Sequence, residues 1–175
     1  MRLLAVRLPI PWHALGFDDP ASLGTTTVGG GLHGWLWDGP TPEIGVAEIS
    51  MPAADEKEGW AVDHVVVLVP HLDRALQILT LAGLDLRLRA EVRGRPTAFL
   101  RAGTVVEVIE ESVAATRLYG VALVTDEPLE SVALRWRSAG FDVADPHPAL
   151  QPGRHILSVA DAGAGLAVMT PDGAG

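Results

Sequence analysis

The spacing of apolar and polar positions changes near residue 60. Before it, glycine and proline are frequent, no helical period is visible, and three of the five tryptophans occur. Residues 3–10 predict a strand, and residues 32–37 with 44–51 predict a hairpin. We therefore expect residues 1–59 to form a β-rich extension.

From residue 60 the apolar positions become regular. The β-branched run at 62–69 predicts a buried strand. Apolar residues at helical spacing in 72–81 predict a helix, and Gly83 is placed to end it. Three further strands are predicted, at residues 84–92, 97–101 and 104–110. The order is strand, helix and three strands.

The same order returns in the last third of the chain. Residues 118–125 predict a strand and residues 129–138 a helix, with Asp126 as its expected N-cap. Strands are then predicted at residues 141–144, 155–160 and 165–169. The two helix ends match as AGLDL and AGFDV. A repeat of this kind defines the architecture, because each copy is one supersecondary unit.

Composition and charge narrow the classes of function. The chain has 48% hydrophobic residues, which is enough for a substantial core, and no cysteine, which excludes disulfides and thiolate chemistry. A net charge of −9 disfavours nucleic acid and anionic membrane surfaces as partners. The first eleven residues are too short and interrupted for a signal peptide. A cytoplasmic protein is the expectation.

Short motifs carry a resemblance to a known family. The first module opens on VDHVVV and closes on VEVIE, and the second contains AGF after its helix and SVADAG before its last strand. The duplicated unit resembles the vicinal-oxygen-chelate superfamily of glyoxalase, bleomycin-resistance and extradiol dioxygenase domains. The resemblance implies an α+β fold with two βαβββ modules forming a cupped mixed sheet. The glyoxalase-like domain would span residues 60–171, with modules at 60–111 and 116–171.

The resemblance also implies a site inside the cup. Members of the family often hold a divalent metal between a residue of each module's first strand and one of its last. In the first module these positions are His64 and Glu107, whose nitrogen and oxygen suit Zn, Mn, Ni or Fe. In the second module they are Gly120 and Ala167, which cannot bind metal. Further ligands would have to come from elsewhere, and the candidates are His13, His33 and His155.

Each candidate residue also has a plainer interpretation. His64 is either a metal ligand or catalytic base, or a histidine satisfied within its strand. Glu107 either faces the cup with a role in catalysis, or pairs with an arginine such as Arg93 or Arg101, because an unpaired buried carboxylate is costly. His33, Trp35 and Trp37 form an aromatic lid or pack on the domain.

The glycine-rich run at residues 29–34 fits GxGxxG, but the WLWDGP that follows it cannot open a helix, so a dinucleotide site is not expected.

Three functions follow from these observations. The first is binding of an apolar or amphipathic small molecule in the cup, either without metal or with a degenerate metal site, and the small residues of the second module favour it. The second is a divalent-metal-dependent lyase, isomerase or dioxygenase using His64 and Glu107. The third is a structural domain whose cup is filled by its own side chains. A homodimer is compatible with all three.

Overall fold

A computed structural model describes residues 1–173. In chain order its elements are β1 (Leu3–Leu8), a 3-10 helix (Trp12–Leu15), β2 (Ala21–Leu23), β3 (Thr26–Gly30), β4 (Gly34–Trp37), β5 (Trp60–Val69), α1 (Leu72–Leu81), β6 (Asp85–Val92), β7 (Arg95–Ala102), β8 (Thr104–Glu110), β9 (Arg117–Thr125), α2 (Leu129–Ser138), β10 (His147–Pro148), β11 (His155–Val159) and β12 (Gly165–Met169).

Two βαβββ modules share one eight-stranded mixed sheet. Its strand order is β10-β11-β12-β9-β5-β8-β7-β6. Within each module the first and last strands are parallel, as β5 with β8 and β9 with β12. The first strands of the modules, β5 and β9, are antiparallel and join the two halves. The predicted α+β architecture is confirmed.

Both helices lie where the apolar spacing predicted them. α1 buries Leu72, Ala75, Leu76 and Leu79 along one face. It ends at Gly83, whose φ of 96° is accessible to glycine at little cost. α2 has no side-chain N-cap, so the prediction for Asp126 was wrong, and the proline before the helix takes the N-cap position. Among residues 1–173, neither helix is long and apolar enough to span a membrane.

Residues 1–59 contain a second sheet of four strands, ordered β2-β3-β1-β4. The predicted hairpin of residues 32–37 with 44–51 was wrong. β4 instead pairs antiparallel with β1, and the pairing of residues 44–51 with β4 is an isolated parallel bridge between Trp35 and Glu48. The connecting loop therefore crosses over rather than turning back tightly.

The predicted strand at residues 141–144 was also wrong. That segment makes one isolated bridge, between Val143 and Val159, and the edge of the sheet is the two-residue β10. Around Val143 the backbone is hydrogen-bonded to β11, from Ala144 N–H to Ser158 and from Ala160 N–H to Asp142, but the pairing does not extend into a continuous strand.

The two sheets share a single hydrophobic core. Trp136 of α2 donates its indole N–H to the carbonyl of Leu15, over 2.9 Å. Phe17 packs edge-on against Trp60, whose ring stacks with that of Trp136. Buried side chains from both parts of the chain belong to one contiguous cluster. The N-terminal sheet is therefore packed as part of the same folding unit.

Candidate functional site

A bulge in β5 lies directly before His64, whose side chain lines a cavity. Val62 pairs with Leu123 and His64 pairs with Ala122, so Asp63 is an extra residue between two consecutive pairs. Val62 and Val65 are both buried, and the side chains of Asp63 and His64 lie within hydrogen-bond distance of each other. Such bulges reorient a side chain without breaking the sheet.

The imidazole of His64 lies between two carboxylates. Its Nδ1 is 2.7 Å from Oδ2 of Asp63, and its Nε2 is 3.3 Å from Oε2 of Glu107 on β8. All three side chains are largely buried, with 13–19% of each exposed. The contact with Asp63 is a short charge-assisted hydrogen bond, and the contact with Glu107 is slightly long for a hydrogen bond.

These contacts set the charge of the histidine. Burial opposes the protonated form, but the hydrogen bonds and charges of Asp63 and Glu107 outweigh it and raise the pKa of His64 from 6.5 to about 9. Burial likewise opposes ionisation of Asp63, yet its bonds to His64 and Arg154 lower the pKa of that carboxyl. At neutral pH the histidine is therefore an imidazolium held by carboxylates.

Arg154 connects this group to the second module. Its Nη2 donates to Oδ1 of Asp63 over 2.6 Å, and its Nε donates to the carbonyl of Thr170 over 2.8 Å. Its Nη1 lies 3.3 Å from Oδ1 of the exposed Asp172. The side chain itself is 6% exposed. A buried guanidinium needs such partners, because an unpaired buried charge is costly.

A cavity of about 730 Å³ is lined by His64 and Val66 of β5 and mainly by residues of the second module. This volume lies within the range of small-molecule sites. His64 forms part of its wall, and Glu107 is beside His64 but not in the lining. The rest of the lining consists mostly of small or apolar residues, together with the polar side chains His33, Arg117, Tyr119, Ser158 and Asp161.

The second module supplies no ligand at the corresponding positions. Glu107 pairs with Val66, two residues after His64. Ala167 pairs with Ala122, two residues after Gly120, so Gly120 and Ala167 occupy the positions that match His64 and Glu107. A Cβ at Gly120 would overlap the backbone of Gly165. No ligand side chain could therefore be accommodated at that position without moving β12.

The described residues do not fit a resident metal ion on their own. His64 and Glu107 supply two donor atoms, whereas protein metal sites usually have three or four protein ligands. Within residues 1–173, no group of three or more His, Asp or Glu side chains is arranged to hold an ion. Of the extra ligands considered, only His33 lines the cavity, whereas His13 and His155 are exposed outside it.

The structure brings together some predicted residues and adds others. His64 and Glu107 are in contact, and neither Arg93 nor Arg101 pairs with Glu107 within residues 1–173. Trp35 and Trp37 are buried, which agrees with packing rather than a lid.

Sequence reasoning missed Asp63 and Arg154. Asp63 could have been suspected from its position beside His64. Arg154 could not, because nothing in a single sequence shows that it contacts a residue 91 positions away.

Comparison with known proteins identifies the fold. No family model matches the sequence, and no curated protein matches it. Methylmalonyl-CoA epimerase from Mycobacterium tuberculosis is similar with a TM-score of 0.53 at 16% identity, over 64% of this chain and 88% of its own. The hypothetical protein BH1468 from Bacillus halodurans C-125 has a TM-score of 0.56 at 14% identity, over 67% of this chain and 99% of its own.

A variant of Streptomyces coelicolor methylmalonyl-CoA epimerase, in complex with 2-nitronate-propionyl-CoA, gives a TM-score of 0.53 at 14% identity, over 64% of this chain and 97% of its own. The chain thus has the fold of the vicinal-oxygen-chelate superfamily, as the resemblance in its sequence implied. About a third of this chain lies outside each of these matches.

Proposed function

We propose that this chain binds an amphipathic small molecule in the cup, with His64 contacting its polar group and without dependence on a resident metal ion. The observation that carries this proposal is the cavity itself. It is large enough for such a molecule, and His64 stands in a wall that is otherwise mostly small and apolar.

The charges around His64 favour an anionic polar group, such as a carboxylate. Four charged side chains form the buried group: Asp63, His64, Glu107 and Arg154. Two of these side chains are acidic and two are basic, so their charges nearly cancel. Only His64 lines the cavity. A ligand therefore meets the positive member of the group first.

The geometry leaves a donor for the ligand. Nδ1 of His64 is committed to Asp63 over 2.7 Å, but Nε2 lies 3.3 Å from Glu107. This contact is at the weak end for a hydrogen bond, so a ligand oxygen can share the Nε2 proton. Asp63 fixes the orientation of the imidazole ring, and Nε2 donates a hydrogen bond to the ligand.

Decanoate and decanol test the proposal, because they share a tail and differ in charge. We expect decanoate to raise the melting temperature more than decanol does, since binding to the folded state stabilises it. His64→Gln should weaken decanoate binding by about tenfold, the value of one hydrogen bond to a charged group. His155→Gln is the matched control, because His155 is exposed and outside the cavity. Equal binding by the native protein and His64→Gln would refute the role of His64.

A second candidate function is a divalent-metal-dependent lyase, isomerase or dioxygenase, with His64 and Glu107 as ligands and as catalytic residues. One observation favours it: Asp63 holds Nδ1 of His64, an arrangement that orients histidine ligands in metal sites. Any remaining ligands would have to come from water or substrate. Metal content after incubation with Zn, Mn, Ni or Fe(II) decides the question. A stoichiometric ion that is lost in His64→Ala would support this function over the first.

A further inference from the structure

The cavity has two different ends. His64 pairs with Ala122 across the β5–β9 ladder, whereas Arg117 pairs with Leu68. Leu68 is four residues beyond His64, which is roughly 13 Å along a strand. His64 and Arg117 both line the cavity, so they stand at separate points along its length.

The end of the cavity at Arg117 carries side chains that can bind an anion. The guanidinium of Arg117 lies 5.7 Å from the centre of the Tyr119 ring. No ion pair within residues 1–173 involves Arg117. Its charge is therefore available to a ligand.

The N-terminal sheet contributes to the cavity lining as well. His33, on the loop between β3 and β4, lines the same cavity. The turn before β12 packs closely on the N-terminal segment, because a Cβ at Gly163 would overlap the carbonyl of Pro9. This contact holds the N-terminal segment against the second module at Gly163, which is itself part of the cavity lining.

The carboxylate in the lining is Asp161. Its Oδ1 accepts a hydrogen bond from the backbone amide of Asp142 over 2.9 Å, so part of its charge is already compensated. Between the two ends the lining includes the small residues Gly120, Ala122 and Ala167. An apolar chain fits such a surface better than a polar one, because no side chain there needs a hydrogen bond.

We propose that the cavity has a second recognition subsite formed by Arg117, Tyr119 and His33, and that its ligand is a two-ended anion with an apolar body. This inference rests on the proposed function, which supplies the first anchor at His64. The N-terminal sheet then takes part in ligand recognition and determines which distal groups are accepted.

Calorimetric titration with dicarboxylates and monocarboxylates of matched length tests the proposal. The pairs are suberate with octanoate, sebacate with decanoate, and dodecanedioate with laurate. We expect the best dicarboxylate to bind about tenfold more tightly than its monocarboxylate, because the second carboxylate gains a charge-assisted contact. The preference should be largely lost in Arg117→Gln and reduced in His33→Gln. It should persist in Arg87→Gln, a matched control on the exposed strand β6.

The outcomes separate the two proposals. If monocarboxylates bind through His64 but dicarboxylates gain nothing, or if their advantage survives in Arg117→Gln, the second subsite is refuted and the proposed function stands. If neither series binds in a His64-dependent manner, both are refuted. Melting temperatures of the variants, measured without ligand, show whether a loss of preference reflects misfolding.

Discussion

Arg154 holds Asp63 across the boundary between the two modules, with Nη2 2.6 Å from Oδ1. The pair is almost enclosed, and Asp63 in turn holds His64. One contact therefore links the stability of the sheet to the orientation of the histidine in the cavity wall.

Replacing Arg154 should destabilise the protein strongly. Arg154→Met leaves Asp63 without its arginine and should lower the free energy of unfolding by about 3 kcal/mol, the usual cost of removing one partner of a buried pair. Arg89→Met is the control, because Arg89 and Asp73 are both exposed, and it should cost less than about 1 kcal/mol. Urea unfolding measures both. A similar decrease in the free energy of unfolding of the two variants would show that burial of the Arg154–Asp63 pair is unimportant.

The raised pKa of His64 predicts a pH dependence of stability. A group with a higher pKa in the folded state stabilises that state while it is protonated. The contribution of His64 should be fully present below pH 6.5 and lost as the pH rises through about 9. Urea unfolding of the native protein and of His64→Gln across this range isolates the effect. A difference between the two that stays constant with pH would show that His64 does not titrate there.

Gly120 should tolerate no side chain. A Cβ there would overlap the backbone of Gly165 on the neighbouring strand, which cannot move aside as a flexible side chain could. Gly120→Ala should therefore cost about 1–3 kcal/mol. At Gly39 an added Cβ would meet only the Met1 side chain, at an ordinary 3.8 Å. Gly39→Ala should be nearly neutral, and equal melting temperatures for the two variants would argue against the close approach of β9 and β12.

Two buried tryptophans should respond differently to phenylalanine. The indole N–H of Trp136 donates to Leu15, whereas that of Trp12 has no hydrogen-bond partner within residues 1–173. Trp136→Phe leaves a buried carbonyl without its donor, which costs about 1–3 kcal/mol beyond the lost packing. Trp12→Phe removes an unpaired donor instead, so its net cost should be smaller. Thermal unfolding compares them, and a larger loss in Trp12→Phe would be the contrary result.

The periodic parts of the chain were the predictable ones. α1 and α2 begin and end where apolar spacing placed them, because a helix face and its terminating glycine are local signals. The hairpin of residues 32–37 with 44–51 failed because strand pairing depends on distant partners: β4 pairs with β1 at the start of the chain.

The candidate site could likewise be predicted only in part from the sequence. The resemblance to the family placed His64 and Glu107 in one site, and their side chains are in contact. The bulge at Asp63 and the reach of Arg154 depend on how the two modules join, which a single sequence does not reveal. The cavity itself is lined mainly by the second module, and Glu107 is not part of its lining.

The hydrogen bond between Leu15 and Trp136 joins residues 121 positions apart. During synthesis, the first sheet emerges from the ribosome long before the helix on which it docks. The packing of Leu15 and Phe17 on Trp136 cannot form until α2 has been synthesised. Contacts between such distant residues slow folding.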